Sequence, residues 1–238
     1  MMSHFGFNRP SFFGCRKQRF LAVLCLLPLL LFGLGFFSSA MGQGVEANQA
    51  RKKAVALQKN GNFRDALKIF EELCVSPDTN PKLVPSDLVN ATQCLTRLGS
   101  IKLFDNLVEK TINAHPKNWR LLRQAAQSYM SVQHIGKLVS GKYERGPSRG
   151  QGKMVNSQER DRVRGLQLMT LAMPLVLGER NSADIEMFYE QLGSQLFYHR
   201  GFSEAWRLQY KTDLSKLPDL ADGYPYNRRG QGAPVTED

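Results

Sequence analysis

GNFRDALKIF, residues Gly61–Phe70, reads as the turn and second helix of a helical hairpin. A glycine can take the left-handed backbone conformation that ends one helix and redirects the chain. Behind it, Phe63, Ala66 and Phe70 recur at steps of three and four, which places them on one helical face. Ala66 is the small member, set where two helices would press closest.

The same grammar returns along the chain. With the turn glycine at position 15 of a 34-residue unit, Ala54 falls at position 8, Leu57 at 11, Phe63 at 17, Ala66 at 20 and Phe70 at 24. A second unit turns at Gly99, with Leu95, Ile101 and Val108 apolar and Pro116 at its end. Its small position holds Phe104, which is expected to loosen that contact. A third unit begins at Trp119 and places Ala126 and Tyr129, and a fourth places Leu192, Gly193, Phe202 and Ala205, followed by Pro218. This is the pattern of tetratricopeptide-like repeats, whose stacked hairpins form binding scaffolds. It predicts an all-α repeat array over residues 45–132 and 157–218, with an irregular tail over 219–238. Ser86 and Asp87 are expected to cap the second unit after Pro85, and Ser182 a late helix running toward Tyr198. Ser157 should start a helix to about Leu177, with Val163, Leu166, Leu168 and Leu171 apolar and Pro174 kinking or shortening it.

Residues 1–42 are of another kind. Arg16, Lys17 and Arg19 precede an apolar run from Phe20 to Phe37, and small residues follow at Ser38, Ala40 and Gly42. That order is a secretory signal, with cleavage expected after Ala40 or Gly42. The run is also near the length of a membrane-spanning helix, so an uncleaved anchor, with membrane association through residues 20–37, is the competing expectation. Export to a bacterial periplasm or envelope follows in either case. The full chain carries a net charge of +11, and loss of Arg9, Arg16, Lys17 and Arg19 with the signal leaves +7. A basic exported protein suits acidic proteins or other polyanions of the envelope. Cys74 and Cys94 remain, and an oxidising compartment permits either a disulfide between them or two buried thiols.

The units are interrupted at 133–156. Gly136–Lys153, GKLVSGKYERGPSRGQGK, is rich in glycine and in basic residues, with Glu144 the one acid. It cannot be helical throughout. Gly146 and Gly152 are one residue too far apart for a phosphate-binding loop, and Met154 stands where that loop needs a hydroxyl. Arg-Gly pairs with Tyr143 available for stacking resemble single-strand nucleic-acid binders, but export disfavours that partner. The insertion is expected to pack on the array or to dock a protein through Arg145, Arg149 and Lys153. The first helices of the units supply a second candidate surface. Arg51, Asn90, Arg120 and Arg123 are expected to face a common groove suited to an acidic segment, while Val55 and Gln124 break the complete carboxylate clamp of some repeat proteins. No HExxH, paired CxxC or nucleophile elbow occurs, and the histidines lack metal spacing. The expectation is a non-catalytic protein without a cofactor.

Four blocks carry a more particular resemblance: LVPSDLVNATQCLTRLG (83–99), HPKNWRLLRQAAQSYM (115–130), VNSQERDRVRGLQLM (155–169) and GFSEAWRLQYKTDLSKLPDLADGYPY (201–226). With the Gly/Arg-rich loop, they resemble the amino-terminal helical-repeat region of large bacterial alpha-2-macroglobulin-like proteins, over roughly residues 45–236. The resemblance implies an exported, membrane-linked protein whose later domains trap proteases. The macroglobulin β-domains, bait region and thioester motif have no counterpart in this sequence, so neither trapping nor thioester chemistry carries over. What it implies here is a helical module acting as an adaptor or, alternatively, a fragment of a longer protein. An envelope polyanion-binding module or enzyme built on the basic loop is a further alternative.

Overall fold

The structure, a computed structural model, describes residues 44–147, 152–197 and 214–220. Residues 20–37, Arg149, Phe202 and Ala205 lie outside them. Glu46–Asp238 forms one compact unit. Helix α1 runs through residues 44–59. It is followed by α2 (Phe63–Val75), α3 (Val84–Arg97), a 3-10 turn (Ile101–Leu103) continuing into α4 (Phe104–Ala114), and α5 (Trp119–Ser131). Three short strands come next, β1 (Ile135–Val139), β2 (Lys142–Arg145) and β3 (Lys153–Asn156), then α6 (Gln158–Val176) and α7 (Ser182–Phe197). No helix among the described residues is long and apolar enough to cross a membrane.

The two turn glycines do the same physical work. Gly61 has φ +81° and Gly99 φ +64°. Behind each, an amide reaches back five residues: Asn62 N–H donates to Leu57 O, and Ser100 N–H to Leu95 O, both at 2.9 Å. This left-handed cap satisfies carbonyls that the end of a helix leaves bare. Beyond the turns, α2 packs on both α3 and α4, and α3 on α5. Ala54, Ala66 and Phe70 have no exposed surface, and Phe104 is 1% exposed. Phe104, the oversized residue of the second unit, meets Tyr129 edge-to-face with ring centres 5.4 Å apart. Ala66→Trp should overpack this core and cost about 1–3 kcal/mol. Thermal unfolding followed by circular dichroism reads the loss, and an unchanged midpoint would contradict the burial of Ala66.

Several sequence expectations are corrected. α3 starts at Val84, so Pro85 lies inside its first turn, and the Asp87 carboxylate is committed to Arg51 rather than to a cap. Asn181, not Ser182, caps α7, accepting from Ala183 N–H. α6 runs past Pro174 to Val176, because that proline stands in the last turn, and Leu171 is exposed. A Cβ on Gly193 would meet nothing among the described residues, so it is no close-packing position there.

The all-α expectation fails at the insertion. There β1, β2 and β3 form a three-stranded antiparallel sheet in the order β2-β1-β3. Ser140 (φ 49°) and Gly141 (φ 76°) make the two-residue turn between β1 and β2, with Val139 opposite Lys142. Two successive positive φ values match the twist of a hairpin, and Ser-Gly tolerates them. The strands are four or five residues long, too short to show sustained alternation in sequence.

The thiols are settled as well. Cys74 and Cys94 are buried and free, so the structure takes the packing alternative rather than the disulfide. Burial, helped by the Asp87 charge, pushes the Cys74 thiol up to about 12, and burial raises Cys94 too. Since the thiolate is the reactive form, iodoacetamide at pH 8 should label the peptides holding both cysteines only after denaturation. Mass spectrometry of native and urea-treated protein measures this; native labelling at the denatured rate would refute it.

Candidate functional site

The predicted binding residues divide into two structural groups. Arg145, expected to be offered to a partner, is instead turned inward. Its side chain has no exposed surface. Nε and Nη2 donate to the two carboxylate oxygens of Asp105 at 2.9 and 2.8 Å. Nη1 and Nη2 donate to the two of Asp161 at 2.7 and 2.8 Å. Nη1 also reaches Gln133 O at 2.9 Å and Ser157 Oγ at 3.1 Å. The guanidinium lies 5.2 Å from the Phe104 ring centre and 5.3 Å from that of Tyr143. It therefore locks β2 to the start of α4 and the first turn of α6. Burial alone would raise the Asp161 carboxyl, but hydrogen bonds from Arg145 and His134 hold it below its ordinary value. Tyr143 is occupied too, since its hydroxyl donates to Ser157 Oγ at 2.9 Å. Its ring is flanked by the guanidinium groups of Arg145 and Arg160, 5.3 and 5.6 Å from the ring centre.

Ser157, His134 and Asp161 meet here without forming a nucleophilic triad. A triad needs the hydroxyl on the free nitrogen of the imidazole. Here the Ser157 hydroxyl donates to Asp161 Oδ2 at 2.7 Å, and His134 Nδ1–H donates to the same oxygen at 2.8 Å. The carboxylate holds both groups, and no base stands over the hydroxyl. His115 is likewise structural: its Nε2 donates to Cys74 O at 3.1 Å and ties the end of α4 to the end of α2. Lys153 is exposed at the start of β3.

Among the groove residues, Arg51 is also committed. It donates to both oxygens of Asp87 at 2.7 Å and clamps α1 to α3, with the Asp87 side chain fully buried. Asn90, Arg120 and Arg123 do come together. They line a cavity of about 370 Å³ between α3, α5 and α7, with Lys82, Val89, Trp119, Asp184 and Met187. Asn118 fixes one end: its carbonyl oxygen accepts from Leu121 N–H at the start of α5, while its amide donates to Pro81 O at 2.6 Å. The α4–α5 turn is thereby fastened to the turn that carries Lys82.

The three basic residues of this cavity differ in chemical state. Arg120 stacks on Trp119 at 4.3 Å and donates to Glu179 Oε2 at 2.7 Å and to Asp184 Oδ2. Backbone amides of Asn181 and Arg180, with Arg120, bring the Glu179 carboxyl down to about 2, so it stays ionised. Arg120 is neutralised where it stands. Arg123 makes no ion pair among the described residues. Its Nη1 reaches only Gln191 Oε1 at 3.3 Å, and its Nε is buried with no hydrogen-bond partner. Burial, and the neighbouring Arg120 charge against the pull of Asp184, leave its pKa below the usual arginine value. Lys82 has no ion pair among the described residues either. Lys82 and Met187 were absent from the sequence reading, and Trp119 entered it only as the start of the third unit, since only packing brings the turn before α3 and the face of α7 to this wall.

Among the described residues, no cluster of His, Cys, Asp or Glu could hold a metal ion. Comparison with protein-family models, with curated proteins and with solved structures finds no match.

Proposed function

We propose that this chain is an exported, non-catalytic helical-repeat scaffold that binds a protein partner on the face built by α3, α5 and α7. The observation that carries the reading is the cavity there, which joins an unpaired guanidinium to half-exposed apolar side chains. Repetition supports the scaffold: Gly61 and Gly99 end helices with the same cap, and alternate helices pack on one another, α2 on α4 and α3 on α5. The apolar run before residue 42 supports export, and the resemblance to the leading module of macroglobulin-like proteins agrees with an adaptor. The inward Arg145 argues against the basic insertion as the docking element.

The test is crosslinking in intact cells with a C-terminal affinity tag. The expected result is one protein recovered with the native chain and lost when Val89→Arg and Met187→Arg block the cavity. Recovery unchanged by these substitutions, or no recovery, would overturn the proposal. Sequencing the amino terminus of the same material reports whether cleavage follows Ala40 or Gly42.

A further inference from the structure

Resting on that reading, we infer that the α3–α5–α7 cavity is a seat for an extended acidic segment of a partner protein, carrying two carboxylate side chains three residues apart. Arg123 receives one carboxylate and Lys82 the other.

Charge carries the inference. A half-buried guanidinium without a counter-ion carries a desolvation cost that a carboxylate would offset. The other partly or fully buried arginines that engage side chains each have one: Arg51 has Asp87, Arg120 has Glu179 and Asp184, Arg145 has Asp105 and Asp161, Arg160 has Asp105, Arg162 has Glu159 and Arg164 has Glu109. Asp184, the acid nearest the cavity, is spent on Arg120. Arg123 is the exception, and it lines the cavity with its Nε bare. Asn90 lines the same cavity and brings a side-chain amide donor to it.

Lys82 lines the same cavity from the turn just before α3 begins at Val84. A polyproline II-type segment advances about 3.1 Å per residue with three residues per turn. Its residues i and i+3 therefore share a face about 9 Å apart, so a segment laid along the cavity can present two acids to the lining that carries both cations. Trp119, Val89 and Met187, the last 46% exposed, supply the apolar part of the lining, which suits an apolar residue between the acids. A single terminal carboxylate would satisfy Arg123 and leave Lys82 bare.

The probe is a fluorescein-labelled, C-terminally amidated peptide containing Glu-Pro-Leu-Glu, titrated by anisotropy against the exported chain in 50 mM salt. Binding is expected in the micromolar range, at least ten-fold weaker when both glutamates are glutamine and weaker by several-fold when one is. Arg123→Met should lower affinity at least ten-fold and Lys82→Gln several-fold, whereas Arg64→Gln, an exposed charge on α2, changes nothing. Arg123→Met should also leave the melting midpoint unchanged or raised, because it removes an unpaired buried charge; a merely structural arginine would instead lose stability. Equal binding of the glutamine peptide overturns the inference. So does binding that requires a free terminal carboxylate, or a loss with Arg123→Met that is matched by unfolding. A partner crosslinked in cells and still retained by Arg123→Met overturns this seat while leaving the scaffold standing.

Discussion

Arg145→Met is expected to destabilise the protein by about 3–5 kcal/mol, the usual cost of removing one member of a buried ion pair. Methionine restores the volume of the stem but none of the donors. Asp161, with no exposed surface, then keeps only Ser157, His134 and the more distant Arg160. Asp105 suffers less, being 25% exposed and still 3.3 Å from Arg160. Adding Asp161→Leu to Arg145→Met should therefore recover a large part of the loss, because it deletes the stranded charge. Urea unfolding of the two variants measures both quantities. A loss below about 1 kcal/mol would mean that water already solvates the network. The same carboxylate sets an acid limit. Its folded pKa is depressed, so its stabilising contribution is complete above the ordinary carboxylate range and disappears as pH falls through the lowered value. Arg145→Met should flatten that acid limb.

The second large effect is expected from Gly136→Ala. A Cβ at 136 would stand 2.5 Å from the Tyr143 ring and closer still to the Glu144 carbonyl oxygen. The ring could rotate, but the carbonyl belongs to the adjacent strand, where Gly136 pairs with Arg145. Relief requires β1 and β2 to separate, which also draws Arg145 from its carboxylates. The expected cost is about 3 kcal/mol, the upper end for overpacking. Amide exchange should accelerate across residues 135–156 while α2 and α3 keep their protection. A melting midpoint within a degree of the native protein would show that the sheet has slack. Gly146 is held by the same logic, since its φ is +91° and a Cβ there would run into Ile101.

These two residues mark how far sequence reasoning reached. The hairpin over 61–70 was legible because glycine, alanine and aromatic spacing are local facts, and local hydrogen bonds at Gly61 and Gly99 enforce them. The insertion was legible as non-helical but not as a sheet. Its signal was Ser140-Gly141, the one two-residue hairpin turn in the stretch, which strands too short for visible alternation concealed. Arg145 was read by composition as a surface charge. Its destination depends on Asp105, 40 residues earlier, and on Asp161, 16 later, neither marked by any local motif. The groove divides the same way. Asn90, Arg120 and Arg123 were placed together by their repeat positions. Which arginine was free could not be read, because Arg51 and Arg120 find their acids only across packed helices.

The sequence by itself determined the helices, their turns and the apolar faces they bury, since these rest on interactions within a few residues. It also set the basic balance. Only the tertiary structure decided the state of each charge, because an ion pair forms between residues that folding brings together. Burial of Arg145 turned a proposed docking loop into a clamp, and the commitment of Asp184 to Arg120 left Arg123 without an ion pair among the described residues.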